Sequence, residues 1–347
     1  MRVIGLTAAK VIERVFSAGG LRIQEPLQGL LRARRLRTVA PLSEDETMRR
    51  ILTGLLSAGL LATAAHAQDA QDPLLKPIAA EFAARWLGEE APVRLFGDSW
   101  LVGFAGLNVV LIKTDAGLIL IDGAVPQGVR RVQAHIRAAG FNPKDIKFIL
   151  STEPHYDHAG GLAALARDSG ATVVASPQAV EVLRRGKSGP DDPQAAQLAT
   201  FPPPARLRAI RDGETLVLGK TVITARATPG HTAGSMSWTW RSCEETRCAD
   251  MVFGSSLNPV SVEGYRFSAP ANAGVVANFR RAFRTFRGLK CDVLVSAHPD
   301  QSGGDAKLAL YRRSSTPNPF VDPGACAAYA AKFEALLDNR LAQEAGR

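Results

Sequence analysis

The sequence predicts an α/β fold built as a four-layer αββα sandwich, two β-sheets packed face to face with helices outside. Three observations point there. Strand-like and helix-like segments alternate along the chain. Each of two halves opens on strand-rich sequence. Apolar runs of strand length end at short polar loops rich in histidine. With 347 residues, 46% of them apolar, the chain can bury a proper core.

In order, residues 68–90 ("PIAAEFAARWLG") read as helical, and short strands follow. "LNVVLIKTDAGLILIDG" is strand, Asp-Ala-Gly turn, strand. "PQGVRRVQAHIRAAG" has helical periodicity and stops at Gly140. Ile146 to Thr152 is a buried strand, a helix runs from Gly160 to about Ser169, and "ATVVAS" is another strand. Arg184 to Pro204 reads as a long loop. The second half begins with "ETLVLGKTVITARATPGH", two strands about a Gly-Lys turn, ending at His231. "SMSWTWRS" and "MVFGSS" are strands, with Trp238 and Trp240 alternating as packing residues. "NAGVVANFRRAFRTFRG" is an amphipathic helix with Val275, Val276, Phe279, Phe283 and Phe286 on its apolar face. "CDVLVSAHPD" is a buried strand ending at His298, and a last helix spans about Pro323 to Ala345.

The net charge of +9 would suit a nucleic acid or an anionic surface, but the N-terminus changes that reading. Met48-Arg49-Arg50, the apolar run "ILTGLLSAGLLATAA" and Ala65-His66-Ala67 are the basic, apolar and small-residue parts of a secretory signal peptide. The run is short for a membrane span and no later stretch is long enough. Translation is therefore expected to start at Met48. Residues 1–47 are then a non-native upstream extension, 48–67 the signal peptide and 68–347 a single domain exported to the periplasm. Residues 1–67 carry +5, leaving about +4 on the mature chain. The run "LRARRLR" is read as upstream sequence without a folded role. The modest mature charge, with no interleaving of basic and aromatic residues, argues against nucleic acid.

Four cysteines lie in the mature part, and an exported chain with an even count suggests two disulfides. Three pairings are open. Cys243 and Cys248 flank "EETR", a hairpin tip, and are expected to pair, leaving Cys291 with Cys326.

The candidate site lies just past strand ends, where α/β sheets gather ligands. Glu153, His155, Asp157 and His158 follow the Ile146 strand, while His231 and His298 close two others. His66 falls in the signal peptide and His135 reads as a surface residue. Four strand-end histidines with an Asp and a Glu are a donor set that zinc favours.

Here the sequence resembles the metallo-β-lactamase superfamily. "EPHYDHAGG" resembles its HxHxDH motif with the first His replaced by Glu153. "TPGHTAGSMSWTW" and "SAHPD" resemble its later histidine motifs, and "GLNVVLIKTDAGLILIDGA" its first hairpin, with Asp122 in a supporting position. Serine rather than aspartate or cysteine at Ser256, an Asp-His-His second site, and the four cysteines resemble the third subclass of class B β-lactamases. The resemblance implies two zinc ions, one on Glu153, His155 and His231, the other on Asp157, His158 and His298. It implies hydrolysis of a small-molecule β-lactam, with Asp157 orienting the nucleophile and Ser256 and Asn258 meeting the substrate carboxylate. It leaves a carboxylate at Glu153, which adds negative charge at the first ion. A monomer is the expected state. Two alternatives stay open: a lactone or thioester hydrolase of the same fold, against which the missing bridging aspartate argues, and a non-catalytic zinc-binding protein.

Overall fold

A computed structural model describes residues 72–346. The expected upstream extension, start codon, signal peptide and arginine run lie outside the described residues. Among the described residues no helix is long and apolar enough to cross a membrane.

Seven strands form one sheet in chain order: β1 (Val93–Phe96), β2 (Ser99–Leu101), β3 (Val110–Thr114), β4 (Gly117–Ile121), β5 (Ile146–Leu150), β6 (Thr172–Ala175) and β7 (Leu207–Ala209). Tight turns or short loops join β1 to β4, which run antiparallel. From β4 onward the pairing is parallel, so each connection must cross over, and each carries helix. Helix α1 (Ala80–Trp86) precedes the sheet, α2 (Val129–Ala138) follows β4, α3 (Tyr156–Ala159) and α4 (Leu162–Ser169) follow β5, and α5 (Pro177–Arg185) follows β6. The second sheet comprises β8 (Thr215–Leu218), β9 (Thr221–Ala227), β10 (Met236–Glu244), β11 (Arg247–Gly254) and β12 (Val293–Ser296), in the order β12-β11-β10-β9-β8. Its one parallel pair, β11 with β12, is bridged by α6 (Ala273–Gly288). Two short helices, α7 (Pro299–Ser302) and α8 (Gly304–Arg313), and the long α9 (Ala325–Ala345) complete the chain.

Side-chain alternation builds the four layers, because successive strand residues face opposite ways. Ile112, Ile119 and Ile121 point between the sheets, against Ile223, Trp238, Trp240 and Phe253. Leu111, Leu118 and Leu120 point outward, under Val132 and Ile136 of α2 and Leu165 of α4. On the other side Val252 and Leu294 point outward, under Phe279, Phe283 and Phe286 of α6 and Tyr329 and Phe333 of α9. The two tryptophans are core packing, as expected, and Trp240 Nε1 also donates to Ser99 Oγ at 3.0 Å.

Some expectations are corrected. The helix expected over 68–90 is a 3-10 turn at Pro73–Leu75 and then α1. Pro77, which lacks an amide hydrogen and biases its predecessor away from helix, breaks it. His135 is half-buried rather than a surface residue, with Nδ1 3.1 Å from the carbonyls of Val102 and Gly103. Neither α5 nor α8 was anticipated. The signal for α5 was present: Ser176 accepts from Ala179 N at 3.1 Å and Pro177 opens the helix.

Both disulfides are present, Cys243–Cys248 across the β10–β11 hairpin and Cys291–Cys326 between the start of β12 and α9. The second spans 35 residues of sequence. Closing a loop of that length in the unfolded chain is worth about 3–4 kcal/mol. Replacing Cys291 and Cys326 together by serine is expected to lower unfolding stability by that amount, measured as a lower denaturant midpoint.

Candidate metal centre

Every residue of the candidate site leaves the C-terminal end of a strand. β5 hands over to Glu153, His155 and α3, with Asp157 and His158 in that single turn. His231 lies four residues past β9 and His298 two past β12. Asp122 directly follows β4 with φ of 63°, a left-handed conformation unusual for a non-glycine residue. Its fully buried carboxylate accepts from Thr152 N at 2.8 Å and Thr152 Oγ1 at 2.6 Å, which ties the start of the Glu153 loop to β4.

The donors gather in two groups: Glu153, His155 and His231, and Asp157, His158 and His298. Within each group one ligand atom per residue lies within 4.8 Å of the others. The outer face of each imidazole fixes which nitrogen points inward. His155 Nε2 lies 2.7 Å from Asp192 Oδ2. His231 Nδ1 lies 3.0 Å from the Asn258 carbonyl, and His298 Nδ1 3.2 Å from that of Gly106. His158 Nδ1 lies 3.5 Å from Asp122 Oδ2. Carboxylates and carbonyls accept, so these outer nitrogens carry the protons, and the inner ones present lone pairs.

Those lone pairs face one another. His231 Nε2 and His155 Nδ1 are 3.2 Å apart, as are His158 Nε2 and His298 Nε2. Only a proton or a cation between them relieves the repulsion. Glu153 Oε1 is buried without a hydrogen-bond partner, 3.3 Å from His158 Nε2 and 3.6 Å from His231 Nε2. An orphaned buried carboxylate oxygen beside bare imidazole nitrogens fits a metal and is costly without one. Asp157 Oδ2 completes the second group, 3.2 Å from His298 Nε2.

Protons compete for the same seats. Burial works against every charge here, but the carboxylates outweigh it at two histidines. Asp192 and Glu153 hold the His155 imidazole above its ordinary range. Asp157, Glu153 and Asp122 hold His158 well above it. Burial wins at His231, which is pushed down. In return, the histidines hold Glu153 below and Asp157 well below the usual carboxylate range, against burial.

Asp192 escaped sequence reading. It stands in the long loop after α5 with no motif to mark it, yet its side chain is only 8% exposed and holds His155. Gln194, two residues on, brings its amide nitrogen 3.3 Å from His231 Nε2. Asp192→Asn is expected to weaken metal binding about 10- to 100-fold, the usual cost of losing such an outer partner. A competition titration against a chromophoric chelator measures it.

Above the two groups lies a cleft of about 410 Å³. Phe82 and Trp86 of α1 form one wall with Tyr156, while Gln194, Gln197 and Leu198 of the long loop form another. Asn258 lines this cleft, and its Oδ1 has no hydrogen-bond partner. Ser256 does not line it. Its hydroxyl is buried without a partner, and its amide N–H donates to Glu153 Oε2 at 2.8 Å.

A fold of two facing sheets between helices, with two adjoining His/carboxylate groups at one strand edge, defines a class of dinuclear metal protein. The family model for the metallo-beta-lactamase superfamily matches residues 102–298, and the chain belongs to that superfamily. Within it the chain stands with the B3 metallo-beta-lactamases. It is 52% identical to a B3 metallo-beta-lactamase with an active-site glutamic acid, covering 79% of this chain and 98% of that one at a TM-score of 0.73. The Rm3 metallo-beta-lactamase is 45% identical, covering 77% and 99% at a TM-score of 0.74. A subclass B3 enzyme isolated from a soil metagenome library is 41% identical, covering 75% and 99% at a TM-score of 0.72.

Proposed function

We propose that the chain is a zinc-dependent β-lactamase that opens the β-lactam amide of penicillins, cephalosporins or carbapenems and so confers antibiotic resistance. The observation that carries this is the pair of facing imidazole couples with a carboxylate in each group. Glu153, His155 and His231 would hold one zinc, and Asp157, His158 and His298 the other. Zinc held there supplies Lewis acidity and makes water acidic enough to serve as nucleophile near neutral pH.

The chain's own residues set the geometry. Asp157, 3.3 Å from His158 Nε2 and facing the cleft, holds and orients the nucleophilic water. The aromatic wall of Phe82, Trp86 and Tyr156 excludes water from one side of the substrate. Asn258 lines the cleft, and its side-chain NH2 is the donor that would meet the substrate carboxylate. Ser256 is assigned to the same subsite by resemblance alone, its hydroxyl being buried and outside the lining of the cleft. The domain from residue 68 to 347, export to the periplasm behind residues 48–67, and a monomeric state complete the reading.

Hydrolysis of a penicillin, a cephalosporin and a carbapenem by the purified protein, with and without chelator, tests it. Chelator-sensitive turnover of at least one is expected. No such turnover of any of the three would sink the β-lactamase reading in favour of another hydrolase of this fold.

A further inference from the structure

Tyr329 lies buried on α9, its ring edge-on to Phe286 and Phe333 at centroid distances of 5.4 and 5.0 Å. One turn earlier, Cys326 is bonded to Cys291 at the start of β12, which fixes this part of the helix over the second sheet. The phenol oxygen lies 3.0 Å from the carbonyl oxygen of Ser255 and 2.9 Å from the side-chain amide of Gln301. A phenol has one proton to give. The Ser255 carbonyl oxygen and Gln301 Oε1 are both placed as acceptors, and the single phenol proton reaches the carbonyl once the Gln301 amide is assigned with its oxygen and nitrogen exchanged, so that its NH2 donates to the phenol oxygen.

The carbonyl of Ser255 and the N–H of Ser256 are two ends of one planar peptide unit, pointing opposite ways. Tyr329 holds the oxygen end. Glu153 Oε2 takes the N–H end at 2.8 Å. Ser255 itself is anchored separately, with its N–H on Ser237 Oγ at 3.1 Å and its hydroxyl 2.8 Å from Thr228 Oγ1. What remains free to rotate is the next peptide plane, and its two partners are Tyr329 and Glu153. Hydrogen bonds in such a chain polarise one another, so the phenol also makes Ser256 N–H a better donor.

The donor at that end suits a carboxylate. Glu153 spends Oε2 on the peptide and turns Oε1, the orphaned oxygen, toward His158 and His231. A neutral imidazole that gives one nitrogen to a metal carries a proton on the other, and would set N–H against N–H.

We infer that Tyr329 is a positioning residue for Glu153, acting through the Ser255–Ser256 peptide to aim Glu153 Oε1 at the first metal. The inference rests on the metal assignment proposed above and specifies a device matched to glutamate at this position.

A double-mutant cycle between Tyr329→Phe and Glu153→His, read as zinc affinity by competition with a chromophoric chelator and without substrate, tests it. In the parent protein, Tyr329→Phe is expected to weaken the binding of one ion about tenfold and leave the other within about twofold. In the Glu153→His background the same substitution is expected to change neither ion by more than about twofold, since no carboxylate is left to aim. Equal losses in both backgrounds would show a merely structural tyrosine and overturn the inference, as would full affinity in the single variant. Should Tyr329→Phe fail to fold, 3-fluorotyrosine at position 329 keeps the ring and gives a more acidic phenol. It is expected to tighten the first site, and unchanged or weakened affinity would overturn the inference. A parent that binds two ions and opens no β-lactam would sink the functional reading alone.

Discussion

Stripping the metal from the purified protein is expected to lower its Tm by roughly 15 °C. An ion present at a thousandfold excess over its dissociation constant stabilises the fold by about 4 kcal/mol, and two ions by about twice that. For a domain of this size each kcal/mol moves Tm by about 2 °C. The physical reason lies in the charges around the site. Asp122 and Glu153 are fully buried, and the side chains of Asp157 and Asp192 are 11% and 8% exposed. Against burial, the surrounding histidines hold Glu153, Asp157 and Asp192 below the usual carboxylate range, so these three groups favour the charged form and a cation beside them. Without the ions these charges and the facing imidazole lone pairs must be met by protons. The sign with pH follows. Binding a metal displaces protons from the ligand nitrogens, so the metal's contribution falls as pH drops through and below the ordinary histidine range. The raised His155 and His158 place the onset of that loss above the ordinary value. Differential scanning calorimetry with and without chelator, at neutral and acid pH, measures both effects. Identical melting curves would remove both groups as metal sites.

Glu153→His is the second large effect, and it acts in two directions. Removing one negative charge beside the first ion leaves the water it activates more acidic, so the acid limb of the rate profile is expected to shift to lower pH. At the same time Ser256 N–H loses its carboxylate acceptor in a fully buried setting. An unmet buried donor costs about 1–3 kcal/mol, so the metal-free variant is expected to melt lower. Zinc content by atomic absorption, the rate profile with pH, and the Tm of the metal-free protein separate the two. Unchanged zinc content together with unchanged turnover would take Glu153 out of the ligand set.

Much of the site was legible because its chemistry is local. Glu153, His155, Asp157 and His158 lie within six residues of one another, and the apolar strand before them fixes where they emerge. His231 and His298 were legible by a similar rule, lying four and two residues beyond the strands that precede them. Both disulfides also followed from sequence position, one from a hairpin tip and the other by what remained. Asp192 was not legible. It belongs to no strand end and no motif, and it matters only because a loop of irregular backbone returns to His155, 37 residues away. Ser256 was placed at the substrate by resemblance. In the structure its amide faces Glu153 across 103 residues of sequence, and its hydroxyl is buried.

By itself, the sequence determined the donor types, their order and the strand ends that carry them, because side-chain chemistry and strand periodicity are properties of neighbouring residues. It thereby determined the four-layer fold, while the division of the donors into two groups came from the resemblance to the metallo-β-lactamase superfamily. Only the tertiary structure decided which ring nitrogen faces inward, which carboxylate stands behind His155, and which peptide aims Glu153. Each of these is set by a hydrogen-bond partner brought from a distant strand, loop or helix, and no local pattern encodes a contact that exists only once the two sheets have packed.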